Sequence, residues 1–339
     1  MPQKITVQEA LKLKNAVFID VRAPLEFEED HLLDAINFPI LSDEERHIVG
    51  TIYKQVSQNL AIEKGMGYYQ EKIPRLIEFV SQFQGRPLIV YCWRGGLRSK
   101  IICDLFESLG YPTYQLKDGY KAYRAMVLEE LTNFQLKPKL FVLHGLTCTG
   151  KTALLQRLPN SLDLEGLAQH RGSLYGAIGL KPRSQKMFDN LLLQKLKELN
   201  PEDFIFVEGE SRRIGDLMLP DFLWKAMCSA TNVLIFRDLD FRVKEMVREY
   251  FLNPLIVEEI KEITKKLWKV ISNQRKEEML TNLEHKEYEP AAEILLTDYY
   301  DPLYNHSLKK LTYSFEVKNN ELDLAVKEIL EQVKPHLKN

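Results

Sequence analysis

The stretch YCWRGGLRSK at 91–100 follows the apolar run PLIV and carries one cysteine, two adjacent glycines and two arginines. Cys92 and Arg98 stand five residues apart, with Arg94 between them. Glycines at 95 and 96 let the backbone curl tightly. Backbone N–H groups in such a curl converge on a point, and a helix beginning near Arg98 adds positive potential there, so negative charge on the sulfur is favoured. Arg94 and Arg98 strengthen that field or hold an anionic substrate. The residues alone fit two chemistries. One is a cysteine phosphatase, whose loop cradles phosphate. The other is a sulfurtransferase, whose cysteine carries a persulfide or handles another chalcogen.

A second loop, GLTCTGKT at 145–152, has the form G-x4-G-K-T. It follows a strand pattern and opens a helix pattern, the context in which such a loop wraps phosphate with backbone N–H groups. Gly145, Thr147, Thr149 and Gly150 form the wrap. Lys151 supplies a point charge to a terminal phosphate, and Thr152 is a ligand for a magnesium ion carried by a nucleotide or diphosphate. Cys148 is read as filler, because side chains at its position are not used. A phosphate loop of this kind usually works with an acid at the end of a neighbouring strand. FIFVEGESRRIG at 204–215 offers Glu208 and Glu210 on one side of the chain, with Arg212 and Arg213 as further phosphate ligands. The stretch 163–179 has no helical stripe and gathers Asp163, Glu165, His170, Arg171 and Ser173 among glycines. It reads as a loop near phosphates or a base.

The elements that must hold these loops alternate strand and helix. Strands are expected at 15–22, 36–39, 86–92 and 111–119, with helices at 71–83, 98–110 and 120–134. After a linker at 135–138 the pattern restarts. Strands are expected at 139–145, 203–211 and 231–238, helices at 151–158 and 182–199, a charged helical region at about 240–283, and a closing helix. Alternation of this kind predicts an α/β fold, with mostly parallel sheets covered on both faces. The domains are then 1–134, with the cysteine loop, and 139–339, with the phosphate loop.

Composition bounds the rest. The chain has 339 residues, a formal charge of −2 and 28% charged residues, an ordinary balance that neither demands nor excludes nucleic acid. No run is long and apolar enough for a membrane helix, and the start has no apolar secretory segment, so a cytoplasmic protein is expected. The four cysteines form no CxxC pair, which argues against a zinc knuckle, and a disulfide scaffold is not expected in a cytoplasmic chain of this size. Cys103 and Cys228 read as structural. The basic stretch 261–276, with Lys261, Lys265, Lys266, Lys269, Arg275 and Lys276 around Trp268, is the best candidate for RNA phosphate contacts.

Residues 1–130 resemble a rhodanese domain. FIDVRAPLEFEEDHLLDAINFPI at 18–40 places Asp20, Arg22, Glu26, Phe27, His31, Ala35, Asn37 and Pro39 at that family's typical positions. The polar trio Asp20, Arg22 and Glu26 is expected to brace the fold near the cysteine loop. Over essentially its whole length the chain resembles the tRNA 2-selenouridine synthase family. That resemblance rests on DVRAPLEF, SDEERHIVGTIYKQ, YCWRGGLRS, GLTCTGKT, LEGLAQHRGSLYG and VEGESRRIG. It implies an N-terminal rhodanese-like domain followed by a P-loop NTPase-like domain. It also implies a transferase that geranylates the wobble 2-thiouridine of tRNA with geranyl diphosphate, then replaces the geranylated sulfur with selenium from selenophosphate. Cys92 is then the selenation cysteine, either carrying selenium or attacking the base. The phosphate loop then binds prenyl diphosphate, with magnesium as a possible companion and no tightly bound cofactor. The implied partners are the tRNA anticodon stem-loop and an enzyme that supplies selenophosphate, with no membrane. The residues alone also fit a thiosulfate or persulfide sulfurtransferase with a nucleotide-binding regulatory domain, and a cysteine-dependent phosphatase joined to a kinase-like domain.

Overall fold

The structure is a computed structural model that describes residues 2–266 and 271–337. The chain forms two compact units: Met1–Asn133 with Asp189–Leu191, and Phe134–Phe188 with Leu192–Asn339.

The first unit is built on a parallel sheet of β1 (Gln3–Ile5), β2 (Val17–Asp20), β3 (Ile36–Asn37), β4 (Leu88–Tyr91) and β5 (Thr113–Leu116), in the order β1-β5-β4-β2-β3. All four residues of β4 are buried, as a central parallel strand covered on both faces requires. From β2 the chain goes on to β3 at one edge, and from β4 to β5 on the other side. The carboxyl ends of β2 and β4 therefore flank the point where the connections diverge, the usual place for a site in an open α/β sheet. Helices α1 (Asp43–Gln55), α2 (Gln58–Val80), α3 (Leu97–Ser108) and α4 (Gly119–Thr132) complete the unit.

The sequence pattern missed α1 and the first half of α2. The start of α1 is a capping box: the Ser42 hydroxyl accepts from the Glu45 N–H at 3.2 Å, and the Glu45 carboxylate accepts from the Ser42 N–H at 2.7 Å. Gly65, Gly67 and Pro74 interrupt the apolar pattern of α2, yet the helix runs through all three. A core of Ile19, Val90, Ile102, Phe106, Leu76 and their neighbours lies between sheet and helices.

The second unit repeats the principle. β6 (Lys139–His144), β7 (Ser161–Leu162), β8 (Phe204–Glu208), β11 (Thr231–Phe236) and β12 (Phe315–Lys318) form a parallel sheet in the order β12-β11-β6-β8-β7, and β9 (Arg213–Ile214) pairs with β10 (Leu217–Met218) as a small antiparallel ribbon. The connection from β6 leaves toward β7 and that from β11 toward β12, so the loop after β6 sits at this sheet's switch point. Helix α5 (Lys151–Arg157) follows that loop, and α6 (Leu164–Ala168), α7 (Gln185–Leu199) and α8 (Leu322–Leu337) pack outside. The expectation of a loop without helix at 163–179 is corrected by α6. Asp163 caps that helix, its carboxylate accepting from the Gly166 N–H at 2.7 Å. The charged helical region runs further than its expected end at 283, through Tyr288–Ile294 and Asp301–Leu308. It surrounds its own core of Tyr250, Phe251, Ile260, Met279, Tyr299 and Tyr300.

Candidate active site

Cys92 directly follows the buried strand β4 and is 3% exposed. Its sulfur accepts from the Gly96 N–H at 3.3 Å and lies 3.3 Å from the Ser99 hydroxyl. The loop cannot relax, because its carbonyls are tied down. Gln115, buried on β5, donates its side-chain amide to the carbonyls of Gly95 and Gly96 and to the Ser99 hydroxyl, at 2.9–3.0 Å. The N–H groups of Tyr120 and Lys121 donate to the carbonyls of Cys92 and Trp93. Gly95 has φ +60°, and a Cβ there would lie 2.7 Å from the Leu116 carbonyl oxygen, so the turn needs glycine.

The sequence expectation for the polar trio can be followed atom by atom. Arg22, 1% exposed, clasps the Asp20 carboxylate at 2.6–3.0 Å, donates to the Asp30 carbonyl at 2.7 Å, and lies 4.0 Å from the centre of the Tyr120 ring. Glu26 receives Arg98 at 2.9 Å and Arg46 at 3.0 Å. Burial pulls the Glu26 carboxyl upward, but the Arg98 hydrogen bond and the charges of Arg98 and Arg46 prevail and hold it below the usual range. Arg98 is thus fixed on α3 by Glu26, whereas Arg94 is exposed. Both line an open cavity of about 700 Å³ beside Cys92, lined on the other side by α1 and α2.

The phosphate loop is held as firmly. Gly150 has φ +83°, and a Cβ there would lie 2.5 Å from Asn319 Nδ2. A Cβ on Gly145 would lie 2.3 Å from the Ile235 carbonyl oxygen. The Thr149 hydroxyl donates to the Leu146 carbonyl at 2.9 Å, and Asn319 donates to the Thr149 carbonyl at 2.7 Å. Arg242, 4% exposed, donates to the Thr147 carbonyl at 2.9 Å and is held by both carboxylate oxygens of Asp301. Lys151 reaches back over the loop to the carbonyls of Gly145 and Leu146, at 3.1 and 3.3 Å, and Thr152 follows on the first turn of α5. Cys148, at φ +61°, packs against the tyrosine-rich core, and burial pushes its thiol well up, as expected of a filler.

Around Lys151 the structure gathers acids. Glu208, fully buried at the end of β8, accepts from the Glu165 N–H at 2.6 Å through Oε1, and its Oε2 is buried with no hydrogen-bond partner among the described residues. Burial, then the Glu210 charge, pushes the Glu165 carboxyl up to about 8 against the pull of Lys151. Burial also raises Glu208 and Glu210. A raised carboxyl binds its proton more tightly in the folded chain than in the unfolded one, so its stabilising effect is present at low pH and is lost as pH rises. Melting temperature should therefore fall by several degrees between about pH 5 and 8, and Glu165→Gln should flatten that slope. A slope as steep in the variant as in the wild type, followed by thermal unfolding, would contradict the assignment.

The stretch after α6 stays close to these acids: a Cβ on Gly172 would lie 2.6 Å from Glu210 Oε2, and Glu249 feels the charges of both Arg171 and Lys151. His170 Nδ1 accepts from the Gly172 N–H at 3.0 Å, Arg171 donates to the Ile178 carbonyl and lies over Tyr250, and Ser173 meets the Tyr300 hydroxyl at 3.1 Å. Arg212 and Arg213 are not gathered at the phosphate loop by any contact: each is half-exposed and paired on the surface, with Asp221 and Asp216 respectively. In the basic stretch, Lys261 pairs with Glu258, Lys265 with Glu262, and Arg275 with Glu278 and Asp298. Lys266 is exposed and Lys276 half-buried, while Trp268 and Lys269 lie outside the described residues.

Sequence reasoning missed the braces Gln115, Arg242 and Asn319. It also missed Arg237, just after β11, whose guanidinium would lie 3.7 Å from a Cβ on Gly150. Its Nε is buried without a partner among the described residues. That places a further cation at the phosphate loop, paired through Nη1 with the Glu245 carboxylate at 3.3 Å.

Among the described residues no group of three or more His, Cys, Asp or Glu is arranged to hold a metal ion, and no helix is long and apolar enough to cross a membrane. All four cysteines are free.

Comparison with known proteins supplies the family. Residues 5–126 match the rhodanese-like domain, and residues 138–335 match the tRNA 2-selenouridine synthase AAA domain. A tRNA 2-selenouridine synthase of Pseudomonas syringae pv. tomato is 32% identical over 348 residues, covering 93% of this chain and 95% of the relative. One from Hydrogenovibrio crunogenus is 32% identical over 361 residues, covering 96% and 97%. One from Nitrosomonas europaea is 36% identical over 254 residues, covering 72% and 66%. With a rhodanese-like thiol loop and a phosphate loop each built on a parallel sheet, and relatives alike over nearly their whole length, this chain is an enzyme and belongs to the tRNA 2-selenouridine synthase family.

Proposed function

We propose that this transferase converts 2-thiouridine at the wobble position of a tRNA anticodon to 2-selenouridine in two stages, one at each loop. The observation that supports it best is an intact thiol loop and an intact phosphate loop in one chain of this family. An anticodon loop suits such chemistry because its unpaired bases can be splayed into a pocket.

In the first stage the wobble sulfur attacks the first carbon of geranyl diphosphate. The S–C bond forms, the C–O bond breaks, the electron pair leaves with diphosphate, and the base loses its N3 proton. Lys151, Arg237 and the loop N–H groups offset the charge that develops on the departing diphosphate. The loop therefore serves group transfer and not nucleotide hydrolysis. Magnesium fits here as an ion carried by diphosphate, since Glu208 Oε2 is an orphan acceptor and Thr152 stands on the first turn of α5. When bound, the ion would neutralise phosphate charge.

Alkylation turns a poor site for exchange into an electron-poor carbon bearing a thiol leaving group. In the second stage Cys92 Sγ attacks C2, the bond from C2 to the alkylated sulfur breaks, and geranylthiolate leaves with the electron pair and takes up a proton. Selenium of selenophosphate then displaces the Cys92 thiolate at C2, and water takes the phosphoryl group as phosphate. No atom changes oxidation state. A perselenide on Cys92 would instead require selenophosphate phosphorus to be reduced, and a reductant later, so we favour attack on the base. Selenophosphate must come from a separate enzyme.

The test is the mass of the wobble nucleoside in an anticodon stem-loop bearing 2-thiouridine. Selenophosphate alone should leave it unchanged. Geranyl diphosphate alone should add the geranyl mass, and both together should give 2-selenouridine. Selenation without geranyl diphosphate would overturn the two-stage reading.

A further inference from the structure

The cavity beside Cys92 has a feature that the fold does not require. Gly50 lies inside α1 and Gly65 inside α2, and both line the cavity. Glycine in a helix interior is destabilising relative to alanine. Neither residue is among those with positive φ. Neither sits where backbones approach closely: a Cβ on Gly50 would meet nothing within 4 Å, and one on Gly65 only the Val49 methyls, at 3.8–3.9 Å. Gly50 is exposed and Gly65 half-buried, so a large side chain at either position would stand at the open mouth of the cavity. The glycines cost helix stability and leave this rim without side chains.

We propose that this cavity seats the geranyl chain carried on the base sulfur during the selenation stage, and that Gly50 and Gly65 keep its mouth open; this rests on the two-stage reading. Its size, about 700 Å³, is that of a small-molecule pocket. Its wall is largely apolar, with Leu41, Val49, Ala61, Ile62, Met66 and Ile101, while Cys92 is at one part of it and Arg94 and Arg98 are beside the thiol. Selenophosphate is small and anionic and has no use for an apolar wall, and the base ring is flat and polar. The S-geranyl base has both parts in the required order. Its C2 must meet Cys92 Sγ, and the chain leaves C2 through a single sulfur atom, so it starts at the thiol and has the apolar wall to follow. When C2 bonds to Cys92 and the bond to the alkylated sulfur breaks, geranylthiolate departs with the electron pair from a seat that already holds its chain. The cavity thereby selects alkylated over unalkylated substrate.

The experiment uses full-length enzyme, selenophosphate, and stem-loops pre-alkylated on the wobble sulfur with either a geranyl or the shorter dimethylallyl group. Wild type should selenate the geranyl RNA faster. Gly50→Phe, which places a ring at the cavity mouth from a position where a Cβ meets no atom within 4 Å, should cut turnover of the geranyl RNA by roughly tenfold to a hundredfold relative to the dimethylallyl RNA. Gly50→Leu should give a smaller fall, and Gly50→Ala should keep the wild-type ratio. A Gly50→Phe or Gly50→Leu enzyme with wild-type melting and an unchanged ratio overturns the inference and leaves the two-stage reading standing. If wild type selenates neither RNA, that reading fails and affinity decides the cavity. The inference then stands only if wild type binds S-geranyl-2-thiouridine nucleoside and Gly50→Phe binds it at least about tenfold more weakly.

Discussion

Cys92→Ser should abolish selenation, by about 10³-fold or more, while the enzyme still geranylates the wobble sulfur. The hydroxyl is a far weaker nucleophile than the thiol, and no base stands within the hydrogen bonds of Cys92 to activate it: its partners are the Gly96 N–H and the Ser99 hydroxyl. The substitution is nearly isosteric in a position 3% exposed, and an oxygen there can keep both partners, so the fold should survive. Nucleoside mass should then show S-geranyl-2-thiouridine accumulating when both small substrates are supplied. Selenouridine formed near the wild-type rate would remove Cys92 from the mechanism.

Lys151→Ala should produce the opposite block. Removing the ammonium takes a full positive charge from beside the departing diphosphate, and loss of one preorganised stabiliser of this kind lowers the rate by about 10²–10³-fold. The same ammonium bridges the Gly145 and Leu146 carbonyls and pulls the raised Glu165 and Glu210 carboxyls back toward their charged forms, so the loop also loses part of its internal balance. The thiol loop stands on the other sheet with its own braces. Lys151→Ala should therefore still selenate a stem-loop supplied already geranylated. Equal loss of both stages, in a variant with a normal melting profile, would show that the two loops are not assigned to separate stages.

Both loops were legible because each is contiguous in sequence: a strand, a turn that needs glycine, and a helix start lie within a dozen residues. What fixes them was not. Gln115 holds the carbonyls of Gly95 and Gly96 from a neighbouring strand, and Arg242 and Asn319 reach Thr147 and Thr149 across the second unit. No local spacing announces such contacts. Glu208 and Glu210 were visible from strand alternation, but the approach of Glu165 depends on how α6 packs against the end of β8. The α1–α2 pair shows the reverse case. SDEE at 42–45 is a readable capping signal, and the three interruptions Gly65, Gly67 and Pro74 hid the helix that follows it. The glycines that spoiled the helical pattern include one that lines the cavity beside Cys92. In the basic stretch, composition showed the cations but not that Lys261, Lys265 and Arg275 each take a carboxylate partner three residues away. Exposed pairs of this kind are worth little energetically.

On the proposed route the wobble sulfur leaves the base already alkylated. Its fate can be followed in a stem-loop whose wobble 2-thiouridine carries radioactive sulfur, incubated with wild-type enzyme, geranyl diphosphate and selenophosphate. The label should leave as geranylthiol, one equivalent for each 2-selenouridine formed. Label released as inorganic sulfide or thiophosphate while selenouridine accumulates would contradict it.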